Sequence, residues 1–361
     1  MNRIVNICFY ISDYGYGHAA RDIAIIRRIL DTWRDAKIYV KTDYPFKFVR
    51  QSLPQKNVEV IKTKNDIGVV FEKNSTVVDK ESTKEMLDVW VASWDDYIQR
   101  EREFCKVHGI DLILSDITPQ PFIVADELGL PSIGISNFTW HYIFFNLFGK
   151  TDATESIKEA YQCAEMALVL PFNEEMDVFK KKKEISLVSR EITADRRTLR
   201  RMHGISDDDL LVYVGVGKSF NPLFLNDLKV NSGVKLLVSS DVELASTIKI
   251  PSSETETQNY IAICDLVVSK AGYSTVSEAI RAKVPMLLFK REGYREDELI
   301  VNGVEKLGIG RESPERSFLD GNWINEVDDL DRYSGEFDTL DGRFKKDGTL
   351  DIIDAIREMI P

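Results

Sequence analysis

Histidine and cysteine are scarce in this sequence, with four of each among 361 residues. The cysteines form no C-x-x-C pair, and no two histidines stand at a spacing typical of metal ligands. A structural zinc site is therefore not expected. Cys8 and Cys264 lie in or next to apolar runs, which is typical of small core residues in a reducing compartment. The sequence thus favours a cytoplasmic location.

Positive charge and long apolar runs are lacking as well. The formal net charge of -12 disfavours nucleic acid as a partner, because a phosphate backbone requires a basic surface. No apolar run approaches the length of a membrane span, and the N-terminal residues lack a signal-peptide cleavage pattern. The lysine run at 180–183 is typical of a solvated surface, although it leaves a peripheral contact with an anionic membrane open.

A chain of 361 residues is long for a single hydrophobic core, so two domains are expected. Short apolar strands alternate with helical patterns through both halves, which predicts an α/β fold with parallel sheets covered on both faces. The segment after residue 171 turns polar and basic, which is typical of a linker. We therefore predict a first domain at 1–171, a linker region at 172–205, a second domain at 206–345 and a C-terminal helix within 346–361.

The stretch 264–298 of the second domain has the pattern of an anion site. A buried strand is followed by the small-residue turn from Ser269 to Gly272, and a helix follows that Ser274 and Thr275 can cap. Backbone N–H groups and the helix dipole favour an anion at such a turn, and Lys270 adds positive charge. Glu278 can accept hydrogen bonds from a pair of sugar hydroxyls. The pattern suits a nucleotide, with phosphate at the turn and ribose at the carboxylate.

A second loop, Gly217-Lys218-Ser219, follows the first strand of that domain and could add N–H groups and a charge to a diphosphate. It is not a Walker loop, because GxxxxGK[ST] is absent.

Polar residues of the first domain gather where predicted strands end. Ligands of parallel sheets bind beyond the carboxyl ends of the strands, so these positions predict a second constellation. Its members are Asp13, Gly15, Gly17, His18, Asp116 and Asn137.

His18 and Asp116 carry the chemistry of this constellation. His18 opens a helix after a glycine-rich loop, where the helix dipole favours the neutral imidazole that a general base requires; the alternative is a histidine that faces solvent. Asp116 can orient that imidazole, or it can merely cap the helix that follows, and position alone does not separate the two.

With these residues in place, the chain resembles the GT-B glycosyltransferases. The loop GYGHAAR at 15–21 is similar to the G-H-x-x-[PR] loop of family 28 glycosyltransferases. The block DLILSDITPQPFIVADELGLPSIGISNFTW at 111–140 resembles the glycosyltransferase-like N-terminal half of plant L-arabinokinases, and more distantly the plant UDP-glycosyltransferases. The block LVVSKAGYSTVSEAIRAKVPMLLF at 266–289 is similar to the S-R-A-G-x-x-T-x-x-E donor motif of the bacterial cell-wall N-acetylglucosaminyltransferase.

The resemblance implies two Rossmann-like domains with a cleft between them, the donor held by the second and the acceptor mainly by the first. His18 would be the base that deprotonates the acceptor hydroxyl, with Asp116 as its partner. Gly272, Ser274 and Thr275 would lie at the diphosphate, and Lys270 stands where the family often has Arg or His. Neither a metal nor a cofactor is expected, because helix dipoles and basic groups stabilise the departing diphosphate.

One motif departs from the plant enzymes, which often place Asp-Gln or Glu-Gln where this chain has Arg295-Glu296-Asp297-Glu298. Asp297 and Glu298 are therefore the predicted contacts to the donor sugar. The match to arabinokinases does not imply kinase activity, because no glycine-serine loop of the small-molecule kinases is present.

These patterns predict the transfer of a sugar from a nucleotide-sugar, expected to be a UDP-sugar, to the hydroxyl of a glycan, lipid or small molecule. The transfer is expected to invert the anomeric configuration and to need no metal. A nucleotide-sugar-binding regulatory module without turnover is the alternative. A sugar-nucleotide epimerase on the same fold would need more acid and base groups than the sequence offers.

Overall fold

A computed structural model of the protein describes residues 4–73, 75–215, 233–238, 247–251, 253–324 and 335–360. The chain divides into two compact units. The first unit comprises 1–70, 79–188 and 346–361, and the second comprises 71–78 and 189–345. No described helix has the length and apolar character that crossing a lipid bilayer requires.

The first unit is built on a parallel sheet of seven strands in the order β3-β2-β1-β4-β5-β6-β7. The strands are β1 (Asn6–Ile11), β2 (Lys37–Thr42), β3 (Val58–Lys62), β4 (Leu112–Asp116), β5 (Ser132–Ser136), β6 (Met166–Val169) and β7 (Lys182–Glu184). Both β1 and β4 are almost wholly buried, as strands with helices on both faces must be. The strand order reverses between β1 and β4, so the carboxyl ends of these two strands form the topological switch point of the sheet.

Helices connect these strands. They are α1 (Tyr16–Thr32), α2 (Phe46–Ser52), α3 (Lys80–Ala92), α4 (Trp94–His108), α5 (Gln120–Leu128), α6 (Trp140–Phe148) and α7 (Asp152–Gln162). The helical sequence pattern over 80–108 is divided between two helices, α3 and α4, that meet at Ser93. Trp90 and Trp94 on either side of this break are buried and pack edge to face. The 3.6-residue pattern runs through the break, which is why the sequence does not reveal it.

The second unit carries a parallel sheet of six described strands in the order β10-β9-β8-β11-β12-β13. They are β8 (Leu210–Gly215), β9 (Val234–Val238), β10 (Thr247–Lys249), β11 (Leu266–Lys270), β12 (Met286–Phe289) and β13 (Gly310–Glu312). The described helices are α8 (Arg196–Met202), α9 (Thr257–Ala262), α10 (Tyr273–Ala282), α11 (Arg295–Lys306), α12 (Glu315–Asp320), α13 (Glu336–Thr339) and α14 (Gly342–Lys345). Here the strand order reverses between β8 and β11, which makes their ends the switch point.

The units do not follow the predicted segment boundaries. The predicted linker 172–205 is divided between them, because β7 pairs with β6 in the first sheet while Arg196–Met202 is a helix of the second unit. The last helix, α15 (Gly348–Met359), belongs to the first unit, where Ile352, Ile353 and Ile356 are buried. Sequence patterns give the faces of elements but not the sheet that each one joins.

Candidate active site and donor site

The first site is formed where β1 and β4 end. Ile11 is the register partner of Asp116, so the chain that leaves β1 passes directly beside the last residue of β4. Gly15 then has φ 92, a backbone conformation that favours glycine, and α1 begins at Tyr16. Gly15 has no side chain with which to cap α1. Gly17 lies in the first helical turn and is exposed.

His18 turns inward from this first turn. Its Nδ1 lies 2.8 Å from Oδ1 of Asp116, and both residues are buried. The solvent-facing alternative for His18 is therefore wrong. The helix-cap alternative for Asp116 is wrong too, because the N-cap of α5 is Pro119. The structure brings together the two residues that the sequence nominated as base and partner.

Arg21, one turn further along α1, is the central residue of this cluster. Its Nε lies 2.5 Å from Oδ2 of Asp116 and its Nη2 lies 2.5 Å from Oδ1, which makes a bidentate pair. Its Nη1 donates to Oδ1 of Asn137 at 3.0 Å. Asn137 thus joins the same cluster as His18 and Asp116. Burial alone would raise the pKa of Asp116, but the charges of Arg21 and His18 lower it to about 2.

The guanidinium of Arg21 also influences which ring nitrogen of His18 carries the proton. Nη2 of Arg21 is 2.9 Å from Nδ1 of His18, at nearly the distance of the Asp116 carboxylate. If Nδ1 donates to Asp116, Nε2 keeps a lone pair and can act as a base. If Nδ1 accepted from Arg21, Nε2 would carry the proton. The oxygens of Asp116 and Asn137 already satisfy the guanidinium, which favours the first arrangement.

A second carboxyl group, Asp22, is buried beside this pair. Its burial, followed by the negative charge of Asp116, raises the pKa of Asp22 well above its usual value, and Arg21 only partly opposes this. Asp22 is fully buried, and among the described residues neither oxygen of its carboxyl group has a hydrogen-bond partner. A raised pKa favours the neutral, protonated form of this group.

The residue after Asp116 has a strained backbone. Ile117 has φ 67, which is a rare conformation for a β-branched side chain and costs about 1–3 kcal/mol. The hydroxyl of Tyr161 donates to its carbonyl oxygen, and Ser115 Oγ lies 2.6 Å from Thr118 Oγ1 across the bend. These contacts hold the end of β4 in the conformation that presents Asp116 to His18.

Asp13 has a different environment from the one predicted on the acceptor side. Its Oδ1 accepts from the backbone N–H of Asp43 at 2.6 Å and of Tyr44 at 3.2 Å, and its Oδ2 accepts from that of Asn65 at 2.6 Å. Burial raises the pKa of Asp13, and these backbone hydrogen bonds oppose the rise. Asp13 thus ties together the loops that follow β1, β2 and β3. An acceptor contact by Asp13, Gly15 or Gly17 stays a prediction.

The turn of the second unit lies at the switch point of its sheet. Ser269 is the register partner of Gly215, and the turn then leads to Gly272, the N-cap of α10. Ser274 and Thr275 were expected to cap this helix, but it begins one residue before them, at Tyr273. The N-cap is again a glycine without a capping side chain. Contacts of Gly272, Ser274 and Thr275 with a diphosphate stay predictions.

Lys270 ends β11 at this turn. Burial, followed by the positive charge of Arg291, lowers the pKa of Lys270 to about 8, while Asp297 and Glu296 act in the opposite direction. The side chain can therefore switch between charged and neutral forms near physiological pH. It stands where the anion site was predicted.

The predicted donor-sugar residues have partners within the protein. Oδ2 of Asp297 accepts from the backbone N–H and from Nε of Arg291, each at 2.8 Å, and Oδ1 accepts from Nη2 at 2.6 Å. Asp297 is fully buried, so a sugar contact would require it to exchange these bonds. Glu298 is partly exposed and pairs with Arg295. The structure gives both residues a role in holding the start of α11, and their contact with a sugar stays a prediction.

Glu278, the predicted ribose ligand, is also paired. Its Oε1 accepts from Nε of Arg190 at 2.8 Å, and both side chains are buried. Arg190 in turn donates to the carbonyl oxygen of Thr255 and, at 2.8 Å, to Oγ1 of Thr257. This ion pair fixes the carboxylate in the middle of α10, and a contact of Glu278 with a ribose stays a prediction.

The remaining predictions are the diphosphate contacts of the loop at 217–219 and the independence from a metal. Gly217, Lys218 and Ser219 lie outside the described residues. Within the described ranges, no three His, Cys, Asp or Glu side chains are grouped so that they could hold a metal ion. Metal independence stays a prediction.

Sequence reasoning assigned no role to three arginines: Arg21, Arg190 and Arg291. Arg21 stands inside the quoted GYGHAAR motif, and this was the one available signal. Arg190 stood in the polar segment interpreted as a linker. The carboxylates that Arg21 and Arg190 bind lie 95 and 88 residues further along the chain, so no local pattern reveals the pairs.

Comparison with known proteins gives the family of this chain. Residues 5–322 match the protein family described as glycosyl transferase family 1. An L-arabinokinase of Arabidopsis thaliana is 25% identical over 323 residues, which are 87% of this chain and 31% of the relative. An uncharacterized glycosyltransferase of Methanosarcina acetivorans is 33% identical over 119 residues, covering 30% of this chain and 31% of the relative. The aligned parts thus span about a third of the curated relatives.

Solved structures show the same fold. The glycosyltransferase of kitacinnamycin superposes with a TM-score of 0.72 at 15% identity and covers 100% of both chains. The calicheamicin glycosyltransferase CalG4 gives 0.69 at 13% identity, over 99% of this chain and 98% of that one. A UDP-glucose: anthocyanidin 3-O-glucosyltransferase in complex with UDP gives 0.63 at 11% identity, over 99% of each. The chain has the GT-B fold, with two Rossmann-like domains.

Proposed function

This chain belongs to glycosyl transferase family 1, and from that premise we propose that it transfers a sugar from a UDP-sugar to an acceptor hydroxyl with inversion and without a metal. The observation that supports the proposal best is the buried contact of 2.8 Å between Nδ1 of His18 and Asp116. A carboxylate in that position orients the ring and stabilises the imidazolium that forms when Nε2 accepts a proton. UDP as the donor nucleotide is supported by the solved relative in complex with UDP.

The first unit performs the activation step in this proposal. Nε2 of His18 takes the proton of the acceptor hydroxyl, and the freed oxygen electron pair forms the new bond to the anomeric carbon. The bond between that carbon and the diphosphate oxygen breaks, and its electron pair leaves with UDP. A single displacement from the opposite face inverts the anomeric configuration.

The second unit holds the donor. The N-terminus of α10 with its glycine cap favours the diphosphate, and the ammonium of Lys270 adds charge that stabilises the leaving group. Glu278, fixed by Arg190, offers an oxygen to the ribose hydroxyls. These interactions replace the Lewis acid that other transferases take from a metal.

The experiment is an assay of UDP release with a panel of UDP-sugars and hydroxyl acceptors, with product anomers assigned by NMR. We expect inverted product, and we expect His18→Ala to abolish turnover while UDP still binds. Full activity of His18→Ala would remove the proposed base. Retention of configuration would contradict the single displacement, and loss of activity with EDTA that Mg²⁺ restores would contradict metal independence.

The second candidate is a UDP-sugar-binding module without turnover. The bidentate contact of Arg21 with Asp116 favours it, because a carboxylate already paired with a guanidinium stabilises an imidazolium less. In that case UDP-sugars bind and no acceptor in the panel releases UDP.

A further inference from the structure

A cavity in the first unit lies apart from the residues discussed so far. It is bounded by α3, α4, the loop that follows β3 and the first residue of α5, and its volume is about 440 Å³. Cavities of a few hundred cubic ångströms are typical of small-molecule sites. All of its lining residues belong to the first unit.

The buried wall of this cavity is held by Asn65. The carbonyl oxygen of Asn65 accepts from Nε1 of Trp90 at 3.0 Å and from Nε2 of Gln120, and its Oδ1 accepts from the hydroxyl of Tyr97 at 2.8 Å. Asn65 is itself fixed, since its Nδ2 donates to the carbonyl oxygens of Ile11 and, at 2.8 Å, of Lys41 in the sheet. The wall is therefore pre-organised, which lowers the entropic cost of binding.

Two polar atoms of the lining side chains lack partners. Among the described residues, neither Nε1 of Trp94 nor Oε1 of Gln120 has a hydrogen-bond partner, although both side chains are more than nine-tenths buried. Buried polar atoms are normally paired, so each one calls for an explanation. One is a donor and the other an acceptor. A hydroxyl group can serve either of them, because it both donates and accepts.

The remaining lining residues favour an uncharged ring. The indoles of Trp90 and Trp94 pack edge to face at 5.3 Å and offer an aromatic wall. The exposed charged residues around it are balanced, with Lys64 and Arg100 positive and Glu85 and Asp96 negative. A balanced set has no net attraction for an anion such as a nucleotide.

Packed aromatic rings separate this cavity from His18. From Trp90 the centroid distances are 6.4 Å to Phe144, then 5.3 Å to Trp140, 5.7 Å to Phe138 and 6.0 Å to His18. Phe138, Trp140 and Phe144 are fully buried, so they fill the space between. None of the residues that line the cavity belongs to the His18 cluster.

We propose that this cavity binds an uncharged, ring-bearing molecule with at least one hydroxyl group, as a second ligand distinct from the donor and from the group at His18. The ring packs against Trp90 and Trp94, and the hydroxyl bonds Trp94 Nε1 or Gln120 Oε1 after a small side-chain movement. This inference does not depend on the transfer reaction.

The test uses 2-naphthol, which is neutral at pH 7 and carries one hydroxyl, titrated into the full chain by calorimetry. We expect saturable binding of one equivalent with a dissociation constant below about 1 mM. Trp94→Phe keeps an aromatic ring, although a smaller one, and deletes the N–H, so it should weaken binding about fivefold. Val89→Trp, at a lining position that is 66% exposed, should block the cavity without disturbing the core.

Trp33→Phe at the end of α1 is the matched control, since it makes the same chemical change outside the cavity and should leave the affinity unchanged. The anion 2-naphthoate should bind more weakly than 2-naphthol. The proposal is overturned if 2-naphthol does not saturate, if Trp94→Phe and Val89→Trp both bind it like the wild type, or if 2-naphthoate binds more tightly. Titration of UDP with the same variants should give unchanged affinity, which separates this site from the donor site.

Discussion

Arg21 contributes more to the His18 cluster than its place in the motif indicates. It contacts His18, Asp116 and Asn137 at once, and it is 2% exposed. A guanidinium with this set of acceptors fixes their positions, because its planar fork matches a carboxylate in two bonds. Its charge also lowers the pKa of Asp116, which burial alone would raise.

Removal of this guanidinium should be costly. Arg21→Met leaves the carboxylate of Asp116 buried without its main partner, so we expect the free energy of unfolding in urea to fall by about 3–5 kcal/mol. Asp116→Asn in the same background should recover part of the loss, because no charge then remains to be compensated. Arg28→Met is the control on the same helix, since Arg28 and Asp347 are partly exposed and should contribute less than about 1 kcal/mol. Additive losses in the double variant would contradict this account.

Asp22 should make stability depend on pH. Its folded pKa is raised, so the folded state keeps a proton that the unfolded state releases above the ordinary value of 3.8. The free energy of unfolding of the wild type should therefore fall as pH rises. Asparagine has no proton to release, so Asp22→Asn should be more stable relative to the wild type at pH 8 than at pH 4. Thermal unfolding at pH 4 and pH 8 measures this, with Asp31→Asn at an exposed position of α1 as the control. A difference between Asp22→Asn and wild type that is equal at both pH values would contradict it.

At the scale of elements, each unit places a helix with a glycine N-cap at the switch point of its sheet. The helices are α1 after β1 and α10 after β11. The neighbouring loops then determine which groups accompany the helix. In the first unit, Asp13 holds together the loops that follow β1, β2 and β3. In the second unit, the ion pair of Arg291 with Asp297 fixes the loop before α11.

The loop after β3 depends on a glycine at 68. Gly68 has φ +67, and a Cβ there would lie 1.9 Å from the ring of Tyr14. We expect Gly68→Ala to lower the free energy of unfolding more than Gly129→Ala does, by about 1–3 kcal/mol. Gly129 has a similar positive φ of +64 with nothing within 4 Å, so its substitution reports backbone strain without a clash. If urea denaturation gave equal losses of unfolding free energy for the two variants, the ring of Tyr14 would move aside at no cost.

The end of β11 should give donor binding a pH dependence. Lys270 has a pKa of about 8 and loses its charge above that pH, so UDP affinity should fall about tenfold between pH 7 and pH 9 if the charged form is required. Lys270→Arg keeps its charge and should flatten the profile. Calorimetric titration at several pH values measures both proteins. A wild-type affinity that stays constant to pH 9 would remove Lys270 from the diphosphate site.

At the scale of the whole molecule, the chain crosses between its units more than once. Residues 71–78 leave the first unit and join the second, where Phe71 packs on Tyr294 at 6.4 Å. The last helix, α15, returns to the first unit, where the N–H of Gly348 donates to the carbonyl oxygen of Leu187 at 2.9 Å. Each unit is therefore completed by a segment distant in sequence.

Deletion of 346–361 should consequently damage the first unit. The buried Ile352, Ile353 and Ile356 would be lost, and each buried isoleucine contributes about 1.5–3 kcal/mol. We expect calorimetry to show a lower unfolding temperature for the first unit, while UDP, by mass action, still raises the transition of the second. If the deletion left both transitions unchanged, α15 would be dispensable.

The sequence by itself determined the elements and the residues at their ends. The strands β3, β8 and β9 coincide with short segments rich in Val, Leu and Ile, which is the local pattern of strands in a sheet. His18, Asp116 and Asn137 were identified as one constellation because parallel strands end at the same edge. Local pattern carries this information.

Only the tertiary structure decided which charges pair. Arg21 with Asp116 and Arg190 with Glu278 are joined by the order of strands and the packing of helices, neither of which has a local signal. The break between α3 and α4, the burial of Asp297 and the cavity beside Trp94 were equally beyond the sequence. A pattern of residues gives the face of an element, whereas a partner across the fold depends on where every other element lies.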